Sequence, residues 1–154
     1  MKNLRFIMMF TVALIFGTTA EAQIDPVDGN GVAIGGYDVV SYFKDGPKRG
    51  FEGFSAKHKE VTYYFFTKEN RDAFQEAPEK YLPQFDGYCA WGVGAKQAKF
   101  PIDPESYDIV DGKLYLFFNA PFQGERFETI LDWNNRTTEL KTAAHKYWPT
   151  VKNQ

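Results

Sequence analysis

The stretch YDIVDGKLYLFFN, residues 107–119, says more about the fold than any other. Two arms rich in β-branched and aromatic residues flank Asp111-Gly112, a pair that accepts the positive φ angles of a type I′ turn. A tight antiparallel hairpin is the expectation. Upstream, GFSAKHKEVTYYFFT repeats the theme, with two β-rich runs around a polar Lys57-His58-Lys59-Glu60 tip. In its second arm Val61, Tyr63 and Phe65 face one way and Thr62, Tyr64 and Phe66 the other. Both faces carry rings, which predicts a strand in the middle of a sheet.

Helical signals fill the gaps between these strands. Thr67 is a good N-cap for KENRDAFQEA, a short helix that Pro78 ends and whose Ala73 and Phe74 would face the sheet. PEKYL then makes a second turn with proline at its first position. From about Gly124 the apolar spacing turns helical, through Phe127, Ile130, Leu131, Leu140, Ala144 and Trp148, until Pro149 stops it. Val39, Val40, Tyr42 and Phe43 suggest a short strand or helical turn before the Gly46-Pro47 break. In QFDGYCAWGVGAK the glycines at 87, 92 and 94 imply a backbone that bends tightly or closely approaches another segment. Residues 23–35 are small, polar and glycine-rich and are expected as an extended arm. The whole predicts a single α+β domain over 36–150: a small, mostly antiparallel sheet with short helices and a C-terminal helix packed on it.

Residues 1–22 are read as a signal peptide. Lys2 and Arg5 make a positive start, Phe6 to Phe16 is apolar, and Ala20-Glu21-Ala22 supplies a small-residue cleavage site. The apolar run is too short for the roughly 18–20 residues that span a bilayer. A periplasmic or secreted protein is therefore expected, with no membrane span in the mature chain. The formal net charge of −2 and the lack of a basic stripe argue against nucleic acid as a partner. The remaining length suits one domain with its own core.

Cleavage also narrows the available metal chemistry. All three methionines, Met1, Met8 and Met9, lie in the leader. One thiol, Cys89, and two imidazoles, His58 and His145, are left. That set is too small for a four-ligand thiolate zinc site, and it excludes an intramolecular disulfide and a C-x-x-C mechanism. Cys89 lies among Phe85, Tyr88, Ala90 and Trp91 with no basic residue within five positions. Filling the core as a small hydrophobe and acting as a functional thiol both remain open. His58 reads as a solvated turn residue or a ligand. His145, late in the last helix, reads as a capping or packing residue or a ligand. Asp38, Asp86 and Asp108 are candidate hard donors, although aspartates in turns more often bond the local backbone. Ser41, Ser55 and Ser106 lack a nucleophile-elbow context, so nothing supports a hydrolase.

Tyr63-Tyr64-Phe65, Asn70-Arg71-Asp72-Ala73-Phe74, Pro78-Glu79-Lys80-Tyr81 and Gly87-Tyr88-Cys89-Ala90 together resemble the YHS domain family. The likeness runs from about Gly36 to Asn119 and is greatest to the exported single-domain branch, whose members carry cysteine or selenocysteine at the GYCA position. The C-terminal helix ending in Trp148-Pro149 also fits that branch. The resemblance implies soft-metal handling. In metal-binding relatives the paired cysteines would sit near Ser41, Phe66 and Asn70, where this chain has none. It leaves Cys89 as the family-relevant thiol. Cu(I) would be the favoured ion, because thiolates favour it and one Cys with one His supplies enough donors. Three functions follow as expectations: an exported, non-enzymatic module binding a soft metal such as copper through Cys89, with His58 or His145; a thiol-dependent redox protein cycling Cys89; and a structural or interaction domain whose aromatic surface meets a partner.

Overall fold

Three antiparallel hairpins carry the strands of the computed structural model, which describes residues 23–154; the expected signal peptide lies outside the described residues. In the first, β1 (Phe51–His58) pairs with β2 (Val61–Phe65). Its turn is only Lys59-Glu60, both at positive φ, so His58 is a strand residue paired with Val61 and not part of the tip. In the second, β3 (Asp103–Val110) pairs with β4 (Lys113–Phe117) around Asp111-Gly112, both at positive φ, as the turn chemistry predicts. The α+β class holds.

The third hairpin, β5 (Asn119–Phe122) with β6 (Glu125–Glu128), corrects the sequence reading, which ran helix from Gly124. Gln123-Gly124 turns it at positive φ. The rings of Phe122 and Phe127 lie 6.2 Å apart, and Phe127 reaches Trp91 at 5.3 Å. Strands this short and this exposed show no alternation, so no period-two signal marks them. The expectation for β2 also changes. It is not the centre of a broad sheet, because its far edge makes one parallel bridge, Val32 to Thr62. Its rings find other covers. Tyr63 and Phe65 stack on Phe74, at 4.8 and 5.1 Å, while Phe66 stays at the surface beside Phe51.

Helices close the open faces. Thr67 caps α1 (Lys68–Glu76) by accepting from Asn70 N at 3.1 Å, and α2 (Pro78–Tyr81) starts on its proline. α3 (Thr129–Asn135) and α4 (Thr137–Val151) form the C-terminal region. α4 runs through Pro149 instead of stopping there: in the last turn a missing N–H removes a single bond, and Lys152 N still reaches Trp148 O at 2.8 Å. α4 packs on a π-helical turn, Gly92–Lys96. A Cβ on Gly94 would lie 2.6 Å from Leu140 O, so glycine there lets the two backbones touch. Trp133, fully buried, lies 5.1 Å from the rings of both Tyr115 and Phe117 and donates to Asp108 at 3.1 Å. Among the described residues no helix is long and apolar enough to cross a membrane.

The expected arm is woven into this body. Ile24 bridges Ile102, Val27 bridges Ala33, and Ala33 and Ile34 are buried in the core. Beside it the carboxylate of Asp38, with no solvent exposure, ties three segments together. One oxygen accepts from Val40 N at 2.8 Å and Ser41 N at 3.2 Å; the other accepts from Phe66 N at 2.8 Å and Asn70 Nδ2 at 2.7 Å. Lys44 Nζ completes the chain by donating to Asn70 Oδ1 at 2.7 Å. Removing an acceptor that serves four donors strands N–H groups inside the fold. Asp38→Ala is therefore expected to lower stability by on the order of 3 kcal/mol or more in urea unfolding. Asp38→Asn should fall near it, because its amide turns N–H groups toward N–H groups; a variant of near wild-type stability would refute the role.

Candidate functional site

Cys89 follows the left-handed turn at residues 85–87 and precedes the π-helical turn, and its side chain is completely enclosed. Sγ lies 3.4 Å from Gly92 N, 3.3 Å from Phe118 N and 3.4 Å from Thr129 Oγ1. The Thr129 hydroxyl donates its one proton to Phe118 O at 2.9 Å, so in the neutral state the thiol donates to Thr129 and its lone pairs accept the two peptide N–H groups. Burial pushes the thiol pKa up, and the surrounding hydrogen bonds oppose that shift without cancelling it. Phe118 and Thr129 flank the third hairpin. The sulfur therefore closes the hairpin's base like a clasp.

This donor set does not fit a copper site. Sγ has two peptide N–H groups and a hydroxyl as partners, and neither imidazole nor any carboxylate is among them. Among the described residues no group of three or more His, Cys, Asp or Glu side chains is placed to hold a metal ion. The three positions where the resemblance puts metal cysteines do converge in space, but on hydrogen bonds: Ser41 N, Phe66 N and Asn70 Nδ2 all donate to Asp38. The Ser41 hydroxyl is likewise committed, donating to Asp38 O at 2.7 Å. Asp108 accepts from Trp133, and Asp86 pairs with Lys152 at 2.9 Å.

His58 and His145 belong elsewhere, and the structure brings them together. Both line one cleft of about 740 Å³ between the first hairpin, the segment 82–88 and α4; Cys89 is not among its lining residues. His58 Nε2 lies 3.3 Å from Glu79 Oε1, in ion-pair range but without an aligned hydrogen bond. His145 Nε2 lies 3.1 Å from the Tyr115 hydroxyl, and its ring packs 5.0 Å from Phe85. Burial, with Lys141 nearby, holds the His145 pKa below its ordinary value. Tyr88 and Trp148 add aromatic walls, with Lys99 Nζ 5.4 Å over the first ring and Lys152 Nζ 5.8 Å over the second, and Lys59 and Lys113 line the same cleft.

The backbone under this cleft is strained. Eight non-glycine residues have positive φ among the described residues. Lys59, Glu60, Asp111 and Gln123 form hairpin turns, and Gln97 ends the π-helical turn. The other three, Ile34, Phe85 and Asp86, all line the cleft. A left-handed conformation costs about 1–2 kcal/mol per residue, and a β-branched side chain such as Ile34 is a particular outlier there. Strain of this kind persists only where surrounding packing over-determines it, and it concentrates at binding sites. Sequence reasoning found both histidines yet missed the cleft. Nothing in Gln84-Phe85-Asp86-Gly87 marks a left-handed phenylalanine.

Neither a family model, nor a curated protein, nor a solved structure matches the chain.

Two measurements check this geometry. Iodoacetamide should label Cys89 in the native protein at a rate that rises with urea in step with unfolding; rapid labelling without denaturant would mean an open route to the sulfur. In an NMR titration His145 should show a midpoint below the 6.5 of an ordinary imidazole. Because the folded pKa is the lower one, stability is full above that ordinary value and is lost as pH falls toward the folded midpoint. His145→Gln should flatten that acid-side decline.

Proposed function

We propose that this chain is an exported, non-catalytic binding module of the YHS type whose working site is the cleft between the first hairpin and α4. The observation that carries the reading is the coincidence of strain and aromatic surface: Ile34, Phe85 and Asp86 hold left-handed backbone under a cleft walled by Tyr88 and Trp148. A volume of about 740 Å³ suits a small organic molecule. Ser41 in one segment and Phe66 and Asn70 in another, the positions to which the resemblance assigns the relatives' cysteines, meet at Asp38, which supports the resemblance. Soft-metal capture through Cys89 would have to displace three hydrogen bonds inside a closed core, and redox cycling would need a path to that sulfur. Binding in the cleft needs neither.

A fragment screen followed by ¹H–¹⁵N NMR tests the reading. Binders should shift resonances of Tyr88, Phe85 and Trp148 together, and Trp148→Ala should weaken them about tenfold, the loss expected for one stacking wall. Cys89→Ser should leave their affinity unchanged. Tight one-to-one Cu(I) binding that disappears in Cys89→Ser, with no ligand shifting the cleft, would overturn the proposal.

A further inference from the structure

We infer that the ligand of this cleft is an organic anion: a flat apolar body carrying a carboxylate, sulfonate or phosphate. The inference rests on the cleft being the binding site and adds the chemical class of what enters it. Across a chain of formal net charge −2, four lysines and two histidines meet at one cleft with only two carboxylates, Glu79 and Asp86. Both carboxylates are already engaged. Glu79 pairs with Lys59 at 2.8 Å and lies 3.3 Å from His58; Asp86 pairs with Lys152 at 2.9 Å. Lys99 is held by main-chain oxygens of Lys152 and Gln154, at 2.9 and 3.2 Å. Lys113 is exposed, and its ammonium has no hydrogen-bond or ion-pair partner among the described residues.

The lining side chains thus carry an excess of positive charge, four ammonium groups against two carboxylates, in a chain whose formal charge is negative. Low-dielectric aromatic walls strengthen the resulting potential and draw anions toward it. The same walls suit the ligand's other half. Tyr88 and Trp148 each carry an ammonium over one face, Lys99 at 5.4 Å and Lys152 at 5.8 Å, so ring and positive charge sit side by side, and Phe85 packs 5.7 Å from Trp148. A cation would meet four ammonium groups, with the two carboxylates already paired. A neutral ring system would gain nothing from the Lys113 ammonium, which water already solvates.

Two dyes sharing one ring system separate the charge from the apolar body: anilinonaphthalene sulfonate, an anion, and phenylnaphthylamine, its neutral counterpart. Fluorescence titration should show the sulfonate binding more tightly, with affinity falling as salt rises, and NMR should place it against Tyr88 and Trp148. Lys113→Glu, at an exposed strand end where the ammonium has no ion pair to lose, should weaken the sulfonate about five- to tenfold and leave the neutral dye within about twofold. Equal affinity for both dyes, unmoved by Lys113→Glu, would overturn anion selection while leaving the cleft as the binding site. If neither dye shifts any cleft resonance, both the anion class and the cleft as the binding site are overturned.

Discussion

A single carboxylate holds the N-terminal half of this protein in register. Asp38 follows Tyr37, whose bridge to Arg49 leads toward the first hairpin, and its two oxygens each take two donors. Val40 and Ser41 fix the turn that follows it, Phe66 fixes the exit of β2, and Asn70 fixes the first turn of α1. A buried carboxylate without such partners would cost far more than a fold of this size can spare. With them, it sets how the hairpin and α1 meet. Phe74 can then stack on Tyr63 and Phe65, and the 82–88 segment is led to the place where the cleft forms.

The other half is organised by close backbone approach. Gly94 lets α4 rest directly on the π-helical turn, and that contact fixes where His145 and Trp148 project. Cys89 stands at the junction of the two halves. Its sulfur accepts from Gly92 in the turn and from Phe118 at the edge of the third hairpin, so it joins elements without meeting solvent. An enclosed thiol with every hydrogen-bonding capacity engaged behaves as a structural part. The cleft gathers polar and aromatic groups over a backbone whose strain the surrounding packing sustains.

Several features are legible in the residues alone. Asp111-Gly112 marks a hairpin because few residues accept its φ angles, the polar Lys59-Glu60 region marks one because it interrupts two β-rich runs, and Thr67 marks a helix start because its hydroxyl satisfies an orphan N–H. The glycines around Cys89 signal close approach for a steric reason. The third hairpin carries no such mark. Its strands are four residues each and mostly exposed, and what orders them is the Phe127 ring against Trp91 together with the clasp at Cys89. Both are contacts between residues far apart in the chain.

Local sterics, hydrogen bonding and apolar period are enough to specify the α+β class, two of three hairpins, the capped helix and the roster of candidate residues. They say nothing about which candidates share a site. Packing of the whole chain enclosed Cys89, joined Asp38 to Ser41, Phe66 and Asn70, and set His58 and His145 on one cleft. Burial and proximity are properties of the packed chain: a thiol's exposure and a carboxylate's partners are set by segments dozens of residues away.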